Sequence, residues 1–297
     1  MSLNVLPTPP QGRERAWSGG LPPLPIALCE HRGYVVAAKR AWAHVLQEVY
    51  GEAAAATQLR DEASRVAELI EERFWWESEG TYYLGLDGAK RPIESVASNP
   101  GHLLWSQAIV ADRARRVASR LLADDLWSGW GIRTLSDRHP AYNPFSYQLG
   151  SVWPHDNAMI AAGFRSYGFD DEAAHVARAL FDAADRFQAR RLPELFAGLR
   201  RDGGGFPVQY LGANVPQAWA AGSVVHLVTT LLGLSADAPN HRLELRPCLP
   251  DWLGQVQLRN LRVGNATADV HVRRAADGRH ELDADVHEGE LEVVLGD

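Results

Sequence analysis

The stretch YNPFSYQLGSVWPHDNAMIAAG, from Tyr142 to Gly163, sets Trp153, His155, Asp156 and Asn157 side by side. They fall just after a glycine turn and just before an apolar helix. Core packing does not call for such a cluster. A pocket for a polar, ring-shaped ligand does, because aromatic faces suit C–H surfaces and planar polar groups suit paired hydroxyls. Other loop segments carry the same chemistry at Trp130, Arg133, Tyr147, Glu194, Gln217 and Trp219. Cleaving a glycosidic bond needs two carboxyl groups, one to protonate the leaving oxygen and one to attack or to activate water. Glu194, in RLPELFAG, lies between a helix and a Gly-rich loop. Its neighbours Pro193 and Leu195 suggest an apolar setting that would raise its pKa; the alternative is a solvated carboxylate at a helix end. Asp156 is either a second acid or a local cap at the helix entrance. Glu30, one turn into the first helix, either meets a ligand or simply favours the helix dipole. His155 reads as a hydrogen-bonding pocket wall more than as a catalyst.

Other motifs are weaker. The DGGGF run at 202–206 lacks the Lys-Ser/Thr and the preceding strand of a phosphate cradle. No serine sits in a GxSxG elbow, which argues against serine hydrolase chemistry. A histidine acid–base pair, as in a sugar epimerase, would need a partner for His155, and only His102 offers itself. Trp42, Trp75, Trp76 and Trp252 read as packing residues.

These loops need a scaffold. Residues 1–24 are rich in Pro, Gly and Arg and read as an irregular lead-in. Apolar residues at three-to-four spacing then predict helices over 26–50, 52–75, 98–122, 153–167, 170–188 and 216–234. Ser98 or Asn99 is the expected cap of the third, with Pro100 in its first turn. Residues 80–96 alternate like a hairpin turning at Asp87-Gly88. Helix pairs joined by alternately short and long loops occupy 25–238, with the long loops lining one pocket. Beyond about residue 239 the pattern alternates with period two. This predicts a small antiparallel β subdomain to 297, with turns at Asp277-Gly278 and Glu288-Gly289.

The bulk numbers narrow the classes. A net charge of -7 without a basic run excludes a nucleic-acid footprint. No apolar run is long enough for a membrane span, and the N-terminus lacks the layout of a secretory signal. The two cysteines, Cys29 and Cys248, form no metal-binding pattern and are expected to be reduced thiols in a cytoplasmic protein. Neither a metal nor a cofactor is expected.

Six ordered blocks carry a resemblance: PIALCEHRGYVVAAK, SNPGHLLW, SGWGIRTLS, YNPFSYQLGSVWPHDNAMIAAG, LPELFAG and PQAWAAG. Together they resemble the C-terminal catalytic region of bacterial amylo-alpha-1,6-glucosidase (glycogen-debranching-like) proteins, six-hairpin glycosidases of glucoamylase type, over about residues 24–290. The resemblance implies a mainly α fold: the C-terminal half to two-thirds of an (α/α)6 toroid, followed by a β cap. It implies an inverting α-glucan hydrolase with Glu194 as general base. Glu30, Trp130, Arg133, Tyr147, Trp153, His155, Asn157, Gln217 and Trp219 would contact the substrate. The family's general-acid Asp stands in a W-K-D-S-like block before the PIALCE helix. Here that stretch reads RERAWSGGLPPLP, which leaves Asp156 as the candidate acid and weak hydrolysis as the expectation. The partner expected is an oligosaccharide, with a second copy or a companion N-terminal half covering the open side of the toroid.

Overall fold

A computed structural model of the chain describes residues 22–203 and 205–296. Most of the expected lead-in therefore lies outside the described residues. Strand β1 (Ala27–Leu28) runs into α1 (Cys29–Glu48), which packs along α2 (Ala53–Arg73). Between them the chain turns at Gly51, whose φ of 70° suits a residue without a Cβ. Next come β2 (Trp75–Trp76), β3 (Thr81–Tyr82), β4 (Gly85–Leu86) and β5 (Pro92–Ile93). Strands β2 and β3 pair with each other, and β4 sits between β1 and β5, every pairing antiparallel. The expected turn is there: Asp87 Oδ1 accepts from the amides of Ala89 and Arg91, at 2.8 and 2.9 Å.

The single helix expected over 98–122 is corrected to two, α3 (Gly101–Trp105) and α4 (Ala111–Leu121). The chain breaks at Gln107, which has a φ of 51°, and Arg40 Nη1 donates to the Gln107 carbonyl at 2.7 Å. Neither Ser98 nor Asn99 caps α3 through its side chain. Helices α5 (Pro154–Ser166), α6 (Asp170–Ala184) and α7 (Ala218–Leu232) follow. Helices α1, α3, α5 and α7 touch in sequence and form one layer; α2, α4 and α6 back it from outside. Side-chain contacts from Glu30 to Asn99, His102 to Asp156 and His155 to Trp219 tie the N-terminal ends of that layer together. Helix N-termini carry partial positive charge, so carboxylates are at home there.

The core runs from this layer into the C-terminal strands, where Leu243, Val270 and Val272 join it. Helix α7 holds no Asp, Glu, Lys or Arg, yet Trp219 and Val225 are 64% and 65% exposed on it. Trp42 on α1, expected in the core, is 53% exposed. Trp252 does pack, edge-on against Phe181.

After α7 the chain is β: β6 (Ser235–Asp237), β7 (Arg242–Leu245), β8 (Gln255–Val263), β9 (Ala266–Arg274), β10 (His280–Glu288) and β11 (Glu292–Leu295). Strands β8, β9 and β10 form an antiparallel sheet, with Asp277-Gly278 in its second turn. The pairing is not antiparallel throughout. Strand β11 returns beside β7 in the same direction, after the excursion through β8, β9 and β10.

Candidate active site

The site is built on a ladder of single-pair bridges that joins four loops. Arg133 pairs with Val152, Val152 with Phe196, and Phe196 with Gln209. The amides and carbonyls of Val152 and Phe196 exchange bonds at 2.9 and 3.0 Å. Gly198 makes this approach possible. A Cβ there would lie 1.7 Å from the Gly150 carbonyl oxygen. Glu194, Tyr147 and Trp153 hang on this ladder.

Glu194 is 7% exposed. Its Oε1 accepts from the Tyr147 hydroxyl at 2.6 Å. Its Oε2 accepts from the Asn214 amide and side chain, at 3.1 and 2.9 Å. The expected upward pKa shift is corrected. Burial does push the carboxyl up, but the bonds from Tyr147 and Asn214, with the charge of His155, bring it below its ordinary value. Donors aimed at the ionised form outweigh the apolar neighbours read from PELF. The same contact raises the Tyr147 hydroxyl to about 12, after burial as the larger cause.

An aromatic run extends from Glu194. Tyr210 faces Tyr147, Tyr147 meets Trp153 edge-on at 4.8 Å, Trp153 meets His155 at 5.4 Å, and His155 meets Trp219 at 5.5 Å. Trp153 Nε1 donates to the Tyr147 carbonyl at 2.9 Å, which fixes its plane. A cavity of about 450 Å³ opens beyond His155, walled by Trp105, Met159, Trp219 and His226. Burial lowers the His155 pKa, against the opposing charges of Asp156 and Glu194.

A second polar cluster stands on the other side of His155. His102 Nε2 lies 2.5 Å from Asp156 Oδ1, and His102 Nδ1 lies 2.9 Å from the Tyr34 hydroxyl. Glu30 Oε1 accepts from the Asn99 side chain at 2.8 Å. Burial would lower His102, yet Asp156 and Glu30 together raise it above 6.5. Burial would raise Asp156, yet His102, His155 and Ser98 hold it below its ordinary value. For Asp156, the expected candidate acid, the surroundings favour the ionised form, whereas a general acid is served by a raised pKa.

Four other expected ligand contacts are committed to the scaffold. Arg133 is buried, with Nε on the Gly198 carbonyl at 2.7 Å and Nη1 on the carbonyls of Asp124 and Asp125 at 3.3 Å. Trp130 is buried beneath the Arg201 guanidinium. Asn157 spends its amide on Ile132, at 2.6 and 3.0 Å, and on the Trp153 carbonyl. Gln217 caps α7 by accepting from the Ala220 amide at 2.8 Å. Glu194, Tyr147, Trp153, His155, Trp219, Glu30 and Asp156 remain gathered around the two clusters. Tyr34, Asn99 and Asn214 were missed. Tyr34 stands one helical turn after Glu30 and Asn99 three residues before His102, which is the only signal the chain offered for either. Asn214 had none. Among the described residues no group of His, Cys, Asp and Glu is placed to hold a metal, and no helix is long and apolar enough to cross a membrane.

Residues 26–199 match the family model described as the mannosylglycerate hydrolase MGH1-like glycoside hydrolase domain. The mannosylglycerate hydrolase of Rubrobacter radiotolerans is 30% identical over 140 residues, 46% of this chain and 31% of that protein. The chain thus spans about a third of the length of the curated relatives it matches. The solved GH63 mannosylglycerate hydrolase of Thermus thermophilus, in complex with glucose, superposes on 69% of this chain and 48% of its own, with a TM-score of 0.55 and 19% identity. A solved sialidase superposes on 90% of this chain and 26% of its own, with a TM-score of 0.68 and 13% identity. At these identities the structures speak for the fold alone, that of the (α/α)6 glycosidases. The matches support a glycosidase of the six-hairpin type, but not the debranching amylo-alpha-1,6-glucosidase group in particular. With the matched segment covering more than half of its length, the chain belongs to the MGH1-like glycoside hydrolase domain family.

Proposed function

We propose that this chain carries the base side of an inverting glycosidase site, with Glu194 activating a water and the Trp153–His155–Trp219 run forming the sugar-facing wall. The observation that carries the reading is the clamped Glu194: a buried carboxylate, kept ionised by three donors, at one end of an aromatic run whose far end, His155 and Trp219, lines a cavity. A general base must be unprotonated and fixed in direction, and this one is both. No proton donor is assigned among the described residues, so hydrolysis by this chain alone is expected to be slow. The relatives named for mannosylglycerate make that glycoside the first substrate to test, and the α-glucans suggested by the loop blocks the second. The experiment is product release from mannosylglycerate, maltose and isomaltose, with anomeric configuration followed by NMR. Slow release with inversion, abolished by Glu194→Gln, supports the reading. Release that survives Glu194→Gln, or that retains configuration, refutes it.

A covering partner, either a second copy or a companion N-terminal half, is the second reading. The α7 helix, free of Asp, Glu, Lys and Arg and with Trp219 and Val225 exposed, favours it, since exposed apolar side chains grouped on one face mark interaction sites. Sedimentation decides it: a well-behaved monomer over a wide concentration range counts against it.

A further inference from the structure

We propose that two copies of this chain pair through α7, antiparallel about a two-fold axis at Gly222, and that each copy's helix walls the other's cavity. The inference deepens the covering-partner reading above and rests on it, not on the role of Glu194. Helix α7 turns one face outward. At about 100° per residue, Ala218, Trp219, Gly222, Val225 and His226 share an arc of roughly 120° centred on Gly222. Trp219 and Val225 are the exposed apolar side chains of this face. A Cβ added at Gly222 would meet nothing within 4 Å. Ala218, Trp219, Gly222, Ser223 and His226 also border the cavity of about 450 Å³, so the cavity lies along the same face.

Charge and shape select a second copy as the occupant. A two-fold contact sets a face against itself, so every charge on it would meet its own sign. Helix α7 has no Asp, Glu, Lys or Arg, and burial pushes its one titratable side chain, His226, below 6.5, so it is neutral near pH 7. Elsewhere a net charge of -7 makes copies repel. The exposed stripe through Val35 and Trp42 on α1 is less suited, because Arg32, Lys39 and Arg40 share that helix. The α7 face also fits itself in size. About an axis at Gly222, residues three before and three after it oppose one another, as do those four before and four after. The bulky Trp219 therefore meets the partner's Val225, and the small Ala218 meets the partner's His226, each contact occurring twice. Gly222 lets the two backbones approach where they cross. The indole of Trp219 keeps its contact with His155 at 5.5 Å and gains a second neighbour. One helix of 15 residues a side covers less than the about 800 Å² of a standard interface, so the dimer is weak, with a Kd on the order of 10–100 µM.

The test is sedimentation velocity of the chain from about 1 to 300 µM, a range that brackets that Kd. A monomer–dimer equilibrium is expected, with no larger species, because a two-fold contact closes on itself. Added salt should tighten it, since screening weakens the repulsion between copies. Gly222→Glu adds a side chain into open space and sets two carboxylates face to face across the axis. It should fold as the wild type does and associate about tenfold or more weakly, as like charges at a contact demand. Gly222→Cys should form a disulfide-linked dimer under mild oxidation, because position 222 faces its own copy. A dimer that Gly222→Glu leaves intact, or that salt dissolves, overturns pairing through α7 and leaves the covering-partner reading standing. A monomer at every concentration overturns both. Should Gly222→Glu fail to fold, a Gly222→Cys protein that does not cross-link overturns the proposal equally. Glycoside cleavage by either form bears on Glu194 alone.

Discussion

Replacing Tyr147 by Phe removes one oxygen and, with it, the 2.6 Å bond to Glu194 Oε1. Nothing else about the ring need change: it keeps its edge-on contact with Trp153 at 4.8 Å and its place beside Tyr210. Hydrogen bonds to an ionised partner are worth about 1.5–3 kcal/mol. One pKa unit corresponds to about 1.36 kcal/mol, so the ceiling on the shift is about one to two units. A water entering the gap would recover part of this, which places the expected rise of the Glu194 pKa near one unit. The direction follows from burial, which already presses the carboxyl upward and would be opposed only by Asn214 and His155 once the tyrosine hydroxyl is gone. Glu194 is depressed in the folded protein, so its contribution to stability is present above the unfolded value of 4.5 and is lost as pH falls through the folded value. In the Tyr147→Phe protein the folded value moves toward 4.5, so this acid-labile contribution shrinks. The assay is a ¹³C carboxyl titration of Glu194, with the melting temperature followed across the same acid range. A Glu194 pKa that stays put, or falls, refutes the claim that Tyr147 keeps the base ionised.

Other perturbations follow from the same structure. Arg133→Met strands the carbonyls of Gly198, Asp124 and Asp125, and should cost roughly 3 kcal/mol in chemical unfolding; a wild-type midpoint would mean the guanidinium is dispensable. Gly198→Ala forces a methyl to within 1.7 Å of the Gly150 carbonyl, so the loops must part; expected are a loss of about 3 kcal/mol or more and a changed near-ultraviolet spectrum. Asp125, bound to both terminal nitrogens of Arg120 and to Ser136, has its pKa lowered to about 2 although burial opposes it. It thus contributes about 2 kcal/mol above pH 3.8 that disappears as pH falls toward 2, and Asp125→Asn should flatten that part of the acid-unfolding curve.

The helices that carry the site were legible because their apolar spacing is regular and their loops are punctuated by Gly and Pro. The break at Gln107 was not, since nothing local stops a helix at SQAIVA; a distant arginine holds its carbonyl. The site divides along the same line. Residues at loop-to-helix junctions, such as Glu194, Trp153 and His155, announced themselves by type. Which way each side chain points depends on partners far along the chain, and that reversed several readings. Asn157 looks inward because the Ile132 backbone is there to meet it, and Arg133 because the surrounding loops present carbonyls to it. The sign of the Glu194 shift turned on Asn214, 20 residues away in an exposed segment with no signature of its own.

The ladder through Arg133, Val152, Phe196 and Gln209 has a further implication. Each rung is one residue wide, so no rung can slip without its neighbour, and the four segments are expected to open together or not at all. Amide protons of Val152, Phe196 and Ala197 would then exchange at a common rate. Diversification of this architecture is channelled accordingly: insertions within the ladder dislodge base and wall at once, whereas the exposed residues around Leu211 and Val215 are free to vary.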